Sequence, residues 1–237
     1  MKKHPVFSRS SPLPIYIALS VVFLTASLPP AFASDIQDHI DKGSRFVKAR
    51  DYQRAIHEYE EALKLSPTNA KTHLLLGLVY ANMNDLEKAI KYTTKALELD
   101  PSYSAYNNLA LVYANKGDFP KAIDNYEKAI ALNPSAFTPW YHLGLIYSSK
   151  KDYVKAAEHY KKATELNRSY GEAYVGLGSA LYYTGDKAGA YEQVKRMRDL
   201  KLKTQSEGLE EWLQTKEKPA SSTGSPQATP GPSSKPS

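Results

Sequence analysis

Proline recurs at Pro67, Pro101 and Pro134, 34 and 33 residues apart, and each closes the same kind of phrase. The phrases are Ala62-Leu63-Lys64-Leu65-Ser66-Pro67, Ala96-Leu97-Glu98-Leu99-Asp100-Pro101 and Ala129-Ile130-Ala131-Leu132-Asn133-Pro134. A fourth, Ala163-Thr164-Glu165-Leu166-Asn167, ends in Arg168 instead. A fixed period of this length means one supersecondary unit, repeated and stacked, because a single unit cannot bury its apolar face alone. The period divides the chain into five units: 36–69, 70–102, 103–136, 137–170 and 171–202.

Aligned on that period, the units show columns of one residue character. Gly43, Gly77, Ala110, Gly144 and Gly178 form a small column, followed by Phe46, Tyr80, Tyr113, Tyr147 and Leu181. Ala55, Ala89, Ala122, Ala156 and Ala190 are alanine in all five units. Tyr59, Thr93, Tyr126, Tyr160 and Val194 come next, then Ala62, Ala96, Ala129, Ala163 and Met197. Within a unit the spacings are three and four, one face of an α-helix. Asn84-Asp85, Gly117-Asp118 and Gly185-Asp186 break their units into two helices. Small residues allow close helix approach, and the aromatic columns fill the space beside them.

The run Trp140-x2-Leu143-Gly144-x2-Tyr147…Ala156-x3-Tyr160 resembles the tetratricopeptide repeat. The resemblance covers 36–202, about 70% of the chain. It implies an all-α fold, a right-handed α-solenoid of five helix pairs, with no enzymatic activity and no cofactor or metal. The first unit departs at Lys42, and the last at Val194, Met197 and Arg198. Atypical terminal units are expected where one face has no neighbouring repeat. Thr204-x-x-Glu207 reads as a capping box, and Leu209, Trp212 and Leu213 follow at helical spacing, so 204–217 is expected to be a helix capping the stack.

The two ends of the chain differ from the repeats. Lys2, Lys3, His4 and Arg9 precede an apolar stretch, Ile15 to Leu28, and Pro29-Pro30 leads into Ala31-Phe32-Ala33. That order describes a secretory signal at 1–33, cleaved between Ala33 and Ser34. The apolar stretch would be about 21 Å long as a helix, short for a permanent span. The competing reading is an uncleaved inner-membrane anchor over 15–28. Residues 218–237 hold 6 Ser, 5 Pro, 2 Thr and 2 Gly and cannot bury enough to order themselves, so they read as a disordered tail. The repeat domain is therefore expected at 34–217, exported to the periplasm or the extracellular space.

Charge and composition remove several functions. The net charge is +6, but Lys2, Lys3 and Arg9 contribute to it from a segment without acids. The remainder holds 28 basic and 25 acidic residues with no run of five or six like charges, so no nucleic-acid footprint is present. With no Cys, thiolate catalysis and thiolate metal sites are excluded. Gly176-Leu177-Gly178 lacks the third glycine of a phosphate loop, and no HExxH or calcium-loop ladder occurs. His39 and His73 share a column with Tyr106, Trp140 and Tyr174, which makes them packing residues.

What remains is a binding surface. The resemblance implies that the first helix of each unit lines a concave groove where peptides of other proteins lie. The expected lining comprises Leu74, Leu78 and Asn82, then Asn107, Asn108, Leu111 and Asn115, and finally Tyr141, Leu145 and Tyr182. The chaperone-tail-binding members of the family hold a carboxylate with Lys, Arg and Asn. Here only Asn108 matches, so that activity is not implied. The leading reading is an exported scaffold that binds a neutral or apolar peptide in assembly of an envelope complex. It resembles periplasmic scaffold proteins of the family. The alternatives are a peptidoglycan- or carbohydrate-binding envelope protein, suggested by the tyrosines, and a membrane-tethered adaptor. Tyr141 is expected to serve the groove with few core contacts, while Trp140 beside it packs.

Overall fold

The computed structural model describes residues 30–217, with side chains from Ala33 onward. The proposed tail and most of the signal lie outside the described residues. Eleven helices follow one another with no strand among the described residues. Five antiparallel pairs make the units: α1 (Pro30–Lys48) with α2 (Tyr52–Leu65), α3 (Ala70–Asn82) with α4 (Leu86–Leu99), and α5 (Tyr103–Lys116) with α6 (Phe119–Leu132). Next come α7 (Phe137–Ser149) with α8 (Tyr153–Leu166) and α9 (Gly171–Tyr183) with α10 (Lys187–Asp199), and α11 (Lys203–Glu217) closes the stack. Each helix packs on the next, and α3 also touches α5, α5 touches α7, and α7 touches α9. The odd helices therefore form one inner layer and the even helices the other.

Each unit turns by the same local device. One residue per turn takes a left-handed backbone conformation: Arg50, Asn84, Gly117, Lys151 and Gly185. The aspartate after it caps the even helix, as Asp51 Oδ1 accepts from the Arg54 N–H at 3.2 Å and Asp118 Oδ1 from the Lys121 N–H at 3.3 Å. The capped residue's own side chain then lies over the aromatic column. Lys88 sits 5.0 Å from the Tyr80 ring, Lys121 5.1 Å from Tyr113, and Lys155 5.3 Å from Tyr147. Asp-x-x-Lys thus joins cap, ion pair and cation–π contact in one turn.

The core runs between the layers through the tyrosine column. Tyr59, Tyr126 and Tyr160 are buried, as are all five column alanines. A Cβ on Gly144 would lie 2.6 Å from the Tyr160 ring, and one on Gly176 2.7 Å from it. The ring is gripped between α7 and α9 where only glycine allows the approach. The hydroxyls differ between units. Ser44 donates to the Ile40 carbonyl at 2.8 Å, so the Tyr59 hydroxyl, 3.2 Å away, donates to Ser44 Oγ. Tyr126, fully buried against Ala110 and Leu143, has no partner for its hydroxyl. Tyr126→Phe should therefore raise stability by up to about 1 kcal/mol, whereas Tyr59→Phe should lose about 1 kcal/mol. Parallel urea melts of the two variants measure the difference, and equal losses would contradict the assignment.

The ends depart from the expected details. Within the described residues α1 runs Pro30–Lys48, so its helical backbone includes residues ahead of Ser34. Among the residues whose side chains are described, from Ala33 onward, its first buried residue is Ile36. At the other end α11 begins at Lys203, which places Thr204 inside the first turn and not at the cap. The expected capping box does not form, and Glu207 pairs with Lys203 at 3.8 Å instead. The unusual Val194 and Met197 are buried against Leu209 and Leu213, so the pattern breaks where α11 replaces a sixth unit.

Candidate functional site

The expected lining residues all lie on the odd helices, and the structure separates them into distinct surroundings. Leu111, Asn115 and Leu145 come together around a recess of about 290 Å³ between α5 and α7. Ala114, Phe119, His142, Ile146 and Ser149 complete it. Leu145, at 42% exposure, is the most open leucine of the expected set. Leu74 lines a smaller recess of about 180 Å³ with Lys71, Asp100, Ser102 and Ser104, so a lysine stands at that end of the face. Leu78 and Asn108 are half-buried and Asn82 is exposed, outside both recesses. Asn107 is half-buried, and its side-chain carbonyl is enclosed without a hydrogen-bond donor.

Two assignments change. Tyr141 does not project freely into a groove. Its ring lies 5.0 Å from Tyr170, 5.4 Å from His142 and 5.9 Å from Tyr160. Burial, with Tyr170 and Tyr160 nearby, pushes its hydroxyl pKa up to about 12. Tyr141 is a packing residue, and its truncation would disturb the gripped Tyr160 ring. Tyr182 is likewise engaged: its hydroxyl donates to the Lys216 carbonyl at 3.2 Å, and its ring lies 5.4 Å from Trp212. It anchors the end of α11. The fully buried anchors of that helix are Leu209 and Leu213, while Trp212 is half-buried.

The sequence reading missed His142, Ser149 and Phe119. His142 stacks on Tyr126 at 5.5 Å, and burial holds its imidazole below the usual range and hence neutral near pH 7. His142, Leu145 and Ser149 stand three and four residues apart, so the open stripe of α7 keeps the expected Leu145 but takes His142 in place of its neighbour Tyr141. One residue is about 100° of helix, enough to exchange a packing tyrosine for a groove histidine. Phe119 comes from the start of α6, which no first-helix rule would include. No lining residue of the larger recess carries a formal charge, and its polar groups are an amide, a hydroxyl and a neutral imidazole. Such a lining can hold apolar side chains and hydrogen-bond a peptide backbone. Among the described residues no group of metal-ligating side chains occurs, and no helix is long and apolar enough to cross a membrane.

Known proteins share this construction. Tetratricopeptide repeat models match residues 46–111, 103–136 and 138–170. The crystal structure of MamA superposes with a TM-score of 0.62 at 31% identity, covering 68% of this chain and 95% of that one. In Saccharomyces cerevisiae, the small glutamine-rich tetratricopeptide repeat-containing protein 2 is 32% identical over 62 residues, 26% of this chain and 18% of its own length. The mitochondrial import receptor subunit TOM70 of the same yeast is 39% identical over 64 residues, 27% of this chain. The chain spans only 10% of the length of TOM70, so the likeness is confined to about two repeats there. The matched models, the repeated helix pairs and the superposition agree: this chain belongs to the tetratricopeptide repeat family.

Proposed function

We propose that this chain is an exported interaction scaffold that holds a neutral or apolar peptide segment of another protein on its inner face, in the assembly of an envelope complex. The observation that carries the reading is the uncharged recess of Leu111, Asn115, His142, Leu145 and Ser149 on the inner layer. Its open leucine offers apolar area, and its amide and hydroxyl offer partners to an extended backbone. The export part of the reading rests on the basic head, apolar stretch and Ala31-Phe32-Ala33 at residues 1–33. Named relatives support the general class, since an import receptor subunit is among them.

The test begins with capture of the partner from an envelope extract of the producing cell and mapping of the bound segment. Leu145→Ala should then weaken that segment by about 1–2 kcal/mol, a typical loss for a contributing contact. Its melting temperature should hardly move, because the side chain is already 42% exposed. Binding should also change little between low and moderate salt, as the recess offers no charge to screen. A partner that binds Leu145→Ala as tightly as the parent protein would refute the inner-face site.

A further inference from the structure

The fourth unit ends its phrase with Arg168 where the first three have Pro67, Pro101 and Pro134. That one change alters what the turn can undergo chemically. An asparagine followed two residues later by serine or threonine is an acceptor for N-linked sugar, unless proline stands between them. Of the nine asparagines in the chain, only Asn133 and Asn167 have a serine or threonine at that spacing. Pro134 closes the first, and Arg168 opens the second.

The two turns have one shape, which isolates the effect of the arginine. Asn133 has φ −141° and ψ 85°, and Asn167 has φ −137° and ψ 95°. Each donates its own N–H at 2.9 Å to the alanine carbonyl four residues back, Ala129 or Ala163. Asn133 Oδ1 accepts from the Ser135 N–H at 3.3 Å and from its hydroxyl at 2.7 Å. Asn167 Oδ1 accepts from the Ser169 N–H at 3.0 Å and from its hydroxyl at 2.8 Å. Proline and arginine are therefore interchangeable for the turn, and only the acceptor rule tells them apart. The carbonyl oxygen of Asn167 is engaged, while Nδ2, the nitrogen that would carry a sugar, donates to no protein acceptor among the described residues and is not enclosed. Arg168 and Ser169 are exposed beside it, in the surface turn between α8 and α9.

We propose that Asn167 is an N-glycosylation site of the exported chain. The donor is an oligosaccharide held on a lipid pyrophosphate. Transfer forms a bond between Asn167 Nδ2 and the anomeric carbon of the sugar as the bond from that carbon to the pyrophosphate oxygen breaks. The lipid pyrophosphate leaves with the electron pair, and one Nδ2 proton passes to a base of the transferase. No oxidant or reductant enters. This inference rests on the export part of the proposed function, because the acceptor pattern is modified in secreted proteins. The glycan would not cover the inner-face recess. That recess lies by the turns within units, at the ends of α5 and α7 and the start of α6, whereas Asn167 lies in a turn between units. The 14 residues of α8 separate the two edges by about 21 Å.

The test is the mass of the protein purified from the envelope of the producing cell, read together with its N-terminal residue. The peptide containing Asn167 should be heavier by whole sugar residues. Asn167→Gln and Ser169→Ala should each abolish the increase. Arg168→Pro should abolish it too, and misfolding is no explanation there, because Pro134 already occupies the same turn. Ala131→Glu with Pro134→Arg writes the Glu-Leu-Asn-Arg-Ser phrase of the fourth unit into the third, and Asn133 should then gain a second glycan. An unmodified Asn167 in a chain that begins at Ser34 overturns this inference and leaves export standing. An unmodified chain that keeps Met1 and stays in the cytoplasm overturns both. A glycan on a chain that keeps Met1 supports this inference and refutes only the cleavage. A mass increase that survives Arg168→Pro overturns the acceptor assignment.

Discussion

Tyr160→Ala is expected to lose about 3–5 kcal/mol of unfolding free energy, the range for truncating a large buried aromatic side chain. The side chain is 2% exposed and its ring fills the gap that Gly144 and Gly176 leave between α7 and α9. Neighbouring alanines cannot collapse into the space, because Ala156 and Ala180 are already packed at the same site. Denaturant melts give the number directly. A loss below about 1 kcal/mol would mean that the tyrosine column is not what joins the fourth and fifth units.

Leu213→Ala should lose about 2–5 kcal/mol, the range for a buried leucine, and the loss should be local. Leu213 is fully buried with Leu209, Met197, Val194, Ala190 and Tyr174, the cluster that seals α9 and α10 under α11. In a stack whose stability is close to a nearest-neighbour sum, damage at the end frays the end. Hydrogen exchange should therefore accelerate in α9, α10 and α11 while α3 to α6 keep their protection. Uniform acceleration along all eleven helices would show that the stack unfolds as one unit.

Much of this architecture was legible in the sequence, because a repeat states its packing several times over. The glycine column, the tyrosine column and the alanine column each named a close approach, and the structure places Gly43 against the Tyr59 ring and Gly144 against the Tyr160 ring. The turns were half legible. Asn84, Gly117 and Gly185 announce a left-handed residue, but Arg50 and Lys151 adopt the same conformation without that signature. There the invariant following aspartate, not the turn residue, carried the information.

The inner face was less legible for a physical reason. Helical spacing fixes which residues share a stripe but not which stripe the neighbouring unit covers. Tyr141 falls toward Tyr170 and Tyr160, which belong to α8 and the turn after it. Tyr182 falls under the end of α11, a helix with no counterpart in the other units. Leu111, Asn115 and Leu145 come together around one recess between α5 and α7. His142 was overlooked as a groove residue because a histidine was weighed only as a metal ligand or a packing group.

The most direct measurement of the inner-face account is photocrosslinking from two exposed apolar positions on opposite layers. A photoreactive residue at 145 stands on the inner layer, where Leu145 is 42% exposed, and one at 154 stands on the outer layer, where Val154 is 61% exposed. Both variants are placed in the producing cell and their crosslinked partners compared. The account predicts a discrete partner from position 145 and none from 154, although 154 is the more accessible. The same partner from 154 with none from 145 would contradict it.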